Sequence, residues 1–192
     1  MKKFLLMVAV AFSAATYAQT EKGNWMAGSD LGLSFNSVKT TPRYDGRASD
    51  DLTENTFKIT PNINYFVINN LAVGLGLSYE NTTAKVRNNE TKKNTFIIAP
   101  NATYFFPLSA NLAPFVGAKV GYAMASAGSS DANKDNGLVF GGKAGIAYFV
   151  NQGAAITGYV GYDSYSLKNK ADSKAETQRG ILGVGVGVAL FF

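Results

Sequence analysis

The sequence predicts an all-β fold: an eight-stranded antiparallel up-and-down transmembrane β-barrel, preceded by a cleavable signal peptide. Eight segments carry an apolar residue at every second position, which is typical of strands with one apolar face. Short and long polar linkers alternate between these segments. The composition also fits, since only 16% of the 192 residues are charged, against roughly 25% in soluble domains, while there are 20 glycines and 12% aromatic residues.

The composition excludes several other classes of protein. An apolar content of 46% is too high for an intrinsically disordered chain. The absence of cysteine excludes a disulfide scaffold and a thiolate metal site. The absence of histidine removes the commonest general base near neutral pH and the commonest metal ligand. We therefore expect no catalytic residue, no cofactor and no metal site.

The first residues have the order of a secretory signal peptide. Lys2 and Lys3 precede a short apolar stretch and then small residues up to Ala18. The apolar stretch is far shorter than the ~20 residues of a membrane-spanning helix, which argues against a retained anchor. We expect cleavage after Ala18, with 1–18 as the signal peptide and 19–192 as the barrel domain. Cleavage would lower the basic count from 18 to 16 against 13 acidic residues, so nucleic-acid binding is not expected.

The eight alternating segments follow the signal peptide. Two of them are near copies at an offset of 39 residues (94 minus 55), because both have the order Asn-Thr-Phe, then Pro-Asn, then Tyr-Phe. This repeat indicates that the structural unit is a pair of strands. The segments run approximately over 24–35, 55–66, 71–80, 95–106, 113–124, 137–149, 154–165 and 179–192.

The linkers differ at the two ends of the predicted barrel. Asn-Asn and Gln-Gly in the short linkers tolerate the positive φ values of tight hairpin turns. Short turns at one end and long loops at the other are typical of transmembrane barrels. The short linkers are 67–70, 107–111 and 150–153, and the long polar ones are 36–54, 81–94, 125–136 and 166–178.

The apolar face of the strands is predicted to meet lipid. Ile63, Leu75 and Val186 lie on this face, and no charged residue does so in any segment. A lysine or arginine facing lipid costs ~2–4 kcal/mol at the bilayer midplane, so the charged residues should face the lumen. We expect the other residues on this lumen-facing side of the strands to be small, because eight strands enclose little space. The predicted lumen charge network is Asp30, Lys58, Glu80, Lys119, Lys143, Asp163 and Arg179.

The lumen charges are compatible with two states of the barrel. They could line a narrow polar channel, or the acidic and basic side chains could pair and plug the lumen. We favour the plug, because an unpaired charge in so narrow a space pays a heavy desolvation penalty.

Aromatic residues mark the two predicted membrane interfaces. Within three segments the two aromatic positions are eight residues apart, which corresponds to about 26 Å at ~3.3 Å per residue. With a strand tilt of ~40° the height is about 20 Å, close to the ~25 Å apolar band of outer-membrane barrels. The predicted girdles are Trp25, Tyr65, Tyr104, Tyr148 and Phe192 at the short-turn end, and Phe35, Phe57, Tyr79, Phe96, Tyr122, Phe140 and Tyr162 at the long-loop end.

With these features, the chain after Thr20 resembles the small eight-stranded outer-membrane barrels of Gram-negative bacteria, the OmpX-like and OmpA transmembrane-domain group. Gly187, Leu190 and Phe192 resemble the C-terminal insertion signal of that family, although Gly185 stands where the signal prefers a polar residue. The resemblance implies location in the cell outer membrane and insertion by the barrel-assembly machinery. We expect a monomer.

The predicted function is a non-enzymatic envelope-structural or adhesion-type role carried by extracellular loops. Enzymes of similar fold use a histidine base, which this chain lacks; Glu80 and Asp163 would be the remaining candidate bases. A cationic second loop is predicted to attract lipopolysaccharide phosphates. The alternatives are a narrow, porin-like passive channel and an exported barrel that binds a hydrophobic ligand. The candidate lipopolysaccharide-facing residues are Lys85, Arg87, Lys92 and Lys93.

Overall fold

The computed structural model of the chain describes residues 20–36, 53–86, 89–127, 134–169 and 176–192. These residues form eight antiparallel strands that follow one another around a closed barrel, with the last strand paired to the first. The predicted all-β barrel is thus confirmed, while the predicted signal peptide, 1–18, lies outside the described residues. The strands are β1 (Trp25–Asn36), β2 (Thr53–Ile68), β3 (Leu71–Val86), β4 (Asn89–Phe105), β5 (Leu112–Ser126), β6 (Lys134–Asn151), β7 (Ala154–Asn169) and β8 (Glu176–Phe191).

The strands present their apolar face to the outside. Leu75 and Val186 are 40% and 60% exposed there, while Lys119 and Lys143 on the opposite face are largely covered. This orientation suits a barrel whose solvent is hydrocarbon rather than water. In the described part of the chain there is no helix long and apolar enough to cross a membrane.

The strands extend further at the long-loop end than the alternation predicted. β3 and β4 remain paired from Asn81 opposite Asn94 up to Val86 opposite Asn89. The predicted loop over 81–94 is therefore wrong, since most of it forms a hairpin arm. The loop was predicted because polar residues replace the apolar alternation in this region. The threonines of the region nevertheless favour the extended backbone, and cross-strand pairing continues beyond the apolar band.

The first short turn agrees with the expected turn chemistry and is bound to the residues before β1. Asn70 has a φ of 69°, which asparagine tolerates better than most residues. Its amide nitrogen donates to the carbonyl oxygen of Thr20 over 2.6 Å, and the Thr20 hydroxyl donates to Asn70 Oδ1 over 2.6 Å. The start of the barrel is thus fixed against this turn.

Two prolines interrupt the hydrogen-bonded wall. The pairing of β2 with β3 breaks at Pro61, and that of β4 with β5 breaks at Pro100. Proline has no amide hydrogen, so it cannot donate to the neighbouring strand. A hydrogen bond of 2.9 Å between the hydroxyls of Thr60 and Ser78 crosses the first gap on the lumen side.

Candidate functional site in the barrel lumen

Lys58 forms the centre of an ion-pair cluster in the lumen. Its Nζ lies 2.8 Å from Glu80 Oε1 and 2.7 Å from Asp163 Oδ2. Lys119 Nζ approaches the same Asp163 carboxylate at 2.9 Å. The cluster therefore joins β2, β3, β5 and β7 across the interior.

A second ion pair lies beside this cluster. Lys143 Nζ is 2.5 Å from Asp30 Oδ2. The same ammonium group lies 5.6 Å from the ring centroid of Phe115 and 5.2 Å from that of Tyr159, within the range of cation–π attraction. Lys143 is thus held by a carboxylate and by two aromatic faces.

Sequence reasoning did not identify Tyr165 as part of this site. Its hydroxyl donates to Glu80 Oε1 over 2.7 Å, so Glu80 accepts from Lys58 and from a phenol. Tyr165 lies two residues after Asp163 and therefore on the same face of β7. This two-residue spacing from Asp163 could have identified Tyr165 as a lumen residue from the sequence.

The structure brings six of the seven predicted lumen residues into ion pairs. Three lysines and three carboxylates give these six a formal charge of zero. Arg179 lies opposite Tyr165 in the β7–β8 ladder, and its side chain is outside the described part. Breaking a buried pair leaves an uncompensated charge, so each partner fixes the position of the other.

The lumen at the short-turn end is filled by large side chains, which corrects the expectation that its uncharged residues are small. Five phenylalanine side chains form a cluster there, here called the lower aromatic layer, in which neighbouring ring centroids lie 5.2 to 6.3 Å apart. For three of these rings the missed signal was the recurring Tyr-Phe doublet, because adjacent strand residues point to opposite faces and one ring of each doublet must point inward. The layer consists of Phe66, Phe105, Phe115, Phe149 and Phe191.

A second apolar cluster lies on the other side of the charges. This upper apolar layer contains Ile97, Val139, Tyr165 and Leu167, and Ile97 and Val139 have no exposed surface. The ion pairs therefore lie between two apolar layers. A cavity of about 120 Å³ remains beside the ion pairs, and glycines and apolar side chains such as Met26 and Ile181 line it together with the charged and polar ones.

The predicted aromatic girdles lie on the outer surface wherever their side chains are described. Trp25 and Tyr65 contact each other at the short-turn end, with ring centroids 5.1 Å apart. Phe57 and Tyr79 are about half exposed at the other end. The side chain of Phe35 is outside the described part. Rings at both ends of the strands are suited to the two lipid–water interfaces.

The four cationic residues of the predicted second loop have different positions. Lys92 is exposed on the outside of β4, whereas Lys93 points inward and its Nζ lies 2.6 Å from Asp135 Oδ2. Lys85 lies in β3 without a described side chain, and Arg87 is outside the described residues. Lys93 thus lies on the lumen face of the hairpin arm, where it is partly exposed, contrary to its expected position in a surface loop.

The residues of the predicted insertion signal end the last strand. Gly187 is buried on the lumen face, and Leu190 and Phe192 lie on the outer face. The backbones of Phe192 and Trp25 exchange two hydrogen bonds of 2.6 and 3.0 Å. The C-terminal residue therefore completes the closure between β8 and β1.

The chain matches a family model described as outer membrane protein beta-barrel domain over residues 4–189. A comparison with curated protein sequences found no match.

Solved structures of low sequence identity share the fold. Neisserial surface protein A (NspA) has a TM-score of 0.59 at 17% identity, with 88% of this chain and 97% of that chain covered. OprG from Pseudomonas aeruginosa has a TM-score of 0.56 at 13% identity, with 92% and 99% covered. A de novo designed transmembrane β-barrel has a TM-score of 0.51 at 14% identity, with 91% and 100% covered.

Proposed function

Because the chain belongs to the outer membrane protein beta-barrel domain family, we propose that it is a non-enzymatic outer-membrane barrel with an envelope-structural or surface-interaction role. In this proposal the barrel wall anchors the protein in the membrane, the lumen is closed, and the hairpin arms with their loops carry the interaction. Members of this family are located in the outer membrane of Gram-negative bacteria. The long-loop end of the barrel, from which the arms extend, would face the cell exterior.

The filled lumen is the observation that carries this proposal. The lower aromatic layer and the upper apolar layer lie on either side of ion pairs of zero formal charge. A solute crossing the barrel would have to separate these pairs and displace both layers. Closure is therefore favoured over a permanent pore.

The side chains of the lumen support a role without catalysis. The chain has no histidine, which excludes a Ser-His-acid triad. The candidate bases Glu80 and Asp163 are each in contact with lysine ammonium groups, so both carboxylates are already engaged in ion pairs.

Reconstituted protein is expected to show no steady single-channel conductance in planar bilayers, because the ion pairs and the two apolar layers occupy the lumen. Recordings should be paired with a gel of the same vesicles, in which a band that shifts on boiling demonstrates folded protein. Steady, uniform conductance steps from folded protein would contradict the closed lumen and favour the narrow channel.

The hairpin arm of β3 and β4 supports a surface role. It rises seven residues beyond the girdle residue Tyr79 to Val86, or about 23 Å along the strand at ~3.3 Å per residue. Paired strands therefore hold the connecting residues away from the membrane interface. Side chains on this arm are therefore accessible to binding partners outside the cell.

We expect the cationic residues of this arm to bind lipopolysaccharide phosphate groups, because Lys92 projects from the outer surface above the girdle. Replacing Lys85, Arg87 and Lys92 together by glutamine should lower the amount of lipopolysaccharide that copurifies with the barrel. Bound lipopolysaccharide per folded barrel is the quantity to measure.

Lys93→Gln is the matched control, since this lysine points into the lumen and pairs with Asp135. It should leave retention unchanged. Equal retention by the triple variant and the wild type would remove lipopolysaccharide as a partner of the arm.

The proposal also includes recognition by the barrel-assembly machinery during insertion. Gly187, Leu190 and Phe192 lie together at the end of β8, the strand that closes the barrel against β1. We further propose that the protein acts as a monomer, because one chain closes its own sheet and leaves no edge strand to pair with a second copy.

A further inference from the structure

An exposed apolar segment lies at the short-turn end of the barrel, in the connection between β4 and β5. Phe106 is 46% exposed, and Leu108 is 70% exposed, more than any other large apolar side chain that the structure describes. Pro107 between them is exposed as well. These three residues, here called the apolar turn, follow the girdle residue Tyr104. Contiguous apolar surface of this kind usually marks a contact with another molecule or with a membrane.

The connection that carries the apolar turn is longer than the other two short turns. Six residues separate β4 from β5, whereas two separate β2 from β3 and two separate β6 from β7. None of the six is charged. Glu21 and Lys22 carry exposed charges at this end of the barrel, beside the β2–β3 turn, where the Lys22 amide nitrogen donates to Asn69 Oδ1 over 2.9 Å. The end of the barrel thus has an apolar part and a charged part.

The apolar turn continues the outer, lipid-facing surface of β4. Tyr104 and Phe106 lie two residues apart and therefore point to the same face, while Phe105 between them is buried in the lumen. The ring centroids of Tyr104 and Phe106 are 4.8 Å apart at an interplanar angle of 66°, an edge-to-face contact typical of aromatic pairs. The turn is therefore contiguous with the surface that the barrel presents to lipid, which favours lipid rather than a protein as its partner.

The backbone of the connection is suited to a lipid environment, in which an unpaired amide is strongly disfavoured. Phe106 N donates to the carbonyl oxygen of Pro114 over 2.8 Å, and Leu108 N donates to that of Leu112 over 2.9 Å. Ser109 N donates to the same Leu112 oxygen over 3.2 Å. The proline between Phe106 and Leu108 has no amide hydrogen. These positions can therefore enter the membrane interface without exposing an unpaired donor.

We propose that the apolar turn is inserted into the phospholipid leaflet at the short-turn end, with the Phe106 and Leu108 side chains among the acyl chains and residues 109–111 among the headgroups. Glu21 and Lys22 stay in water, because moving a charge into hydrocarbon is costly. This contact anchors the end of the barrel opposite the hairpin arms, and it does not depend on what the arms bind.

The absence of cysteine allows a single fluorescent label at each chosen position. Leu108→Cys and Glu21→Cys, each labelled with the environment-sensitive fluorophore NBD, are reconstituted in phosphatidylcholine nanodiscs, which leave both faces of the bilayer accessible. At position 108 we expect several-fold weaker quenching by iodide than at position 21, and several-fold stronger quenching by phospholipids that carry a nitroxide on the acyl chain. Equal iodide quenching at the two positions would place the turn in water and overturn the proposal. Shielding of position 108 from both quenchers would show that protein covers the turn, which would also overturn it.

Phe106→Gln in the labelled Leu108→Cys protein tests whether the aromatic side chain holds the turn in the leaflet. In protein that still shifts on a gel after boiling, we expect iodide quenching at position 108 to rise towards the value at position 21. Ser109→Gln is the matched control, because it introduces the same side chain at the polar tip of the same connection; iodide quenching at position 108 should equal that of the parent protein. Unchanged quenching in Phe106→Gln would remove Phe106 as an anchor.

Discussion

Asp163→Ala should destabilise the barrel by about 3–5 kcal/mol, the usual cost of removing one partner of a buried ion pair. The Asp163 carboxylate contacts Lys119 at 2.9 Å and Lys58 at 2.7 Å, so both ammonium groups would lose a buried counter-charge. Urea unfolding in lipid vesicles, followed by the fluorescence of the single tryptophan, Trp25, measures the free energy of unfolding.

A second substitution should reverse most of this loss. Combining Asp163→Ala with Lys119→Met removes both charges of one pair, and an apolar replacement of a buried pair is often close to neutral. Asp135→Ala is the control, because its partner Lys93 is 31% exposed and pairs near the surface are worth about 1 kcal/mol or less. If Asp163→Ala cost no more than Asp135→Ala, the lumen pairs would not hold the strands together.

Gly145→Ala is the second change for which we expect a large effect, about 1–3 kcal/mol of destabilisation from overpacking. An added methyl group would overlap the carbonyl oxygen of Gly158 and lie 2.7 Å from Tyr159 Cβ and 2.8 Å from Phe115 Cζ. The backbone oxygen has little freedom to move, and both rings flank the ammonium group of Lys143. The same urea titration measures the loss.

Gly161→Ala is the matched control. Gly161 is also a lumen-facing glycine in mid-strand, but an added methyl group would find its nearest neighbour, the carbonyl oxygen of Gly142, at 3.4 Å. Its unfolding free energy should stay unchanged or rise by about 0.5–1 kcal/mol, because alanine loses less backbone entropy on folding than glycine. Equal effects at positions 145 and 161 would contradict the close packing around Phe115.

Parity along the strands was sufficient to assign residues to the two faces of the barrel. Every second residue points to the same side, and lipid tolerates no unpaired charge, so Lys58 and Asp163 could be assigned to the lumen without coordinates. Their contact could not be predicted in the same way. They are 105 residues apart and meet only because the sheet closes and brings β2 and β7 to face each other across a narrow interior.

The strand ends and the aromatic interior were harder to predict for related reasons. Above the membrane, β3 continues through polar residues such as Asn81 and Thr83, where alternation no longer reports an apolar face. In the Tyr-Phe doublets both residues are aromatic, so hydrophobicity alone does not show which one faces lipid. Tyr65 was assigned to the outer face, and the inward position that this leaves for Phe66 was not considered. Only the closed barrel shows that Phe66 packs against Phe105 and Phe191.

The breaks at Pro61 and Pro100 interrupt strand pairing on both sides of the β3–β4 hairpin. Between them lies the β3–β4 hairpin, whose sixteen paired positions run without interruption from Leu71 to Val86. Each flank of this hairpin lacks bonds in mid-strand, whereas its own two strands hold each other along their full length. The hairpin is therefore the piece of the wall best suited to behave as one cooperative module, and the natural unit to graft or exchange when such barrels are rebuilt.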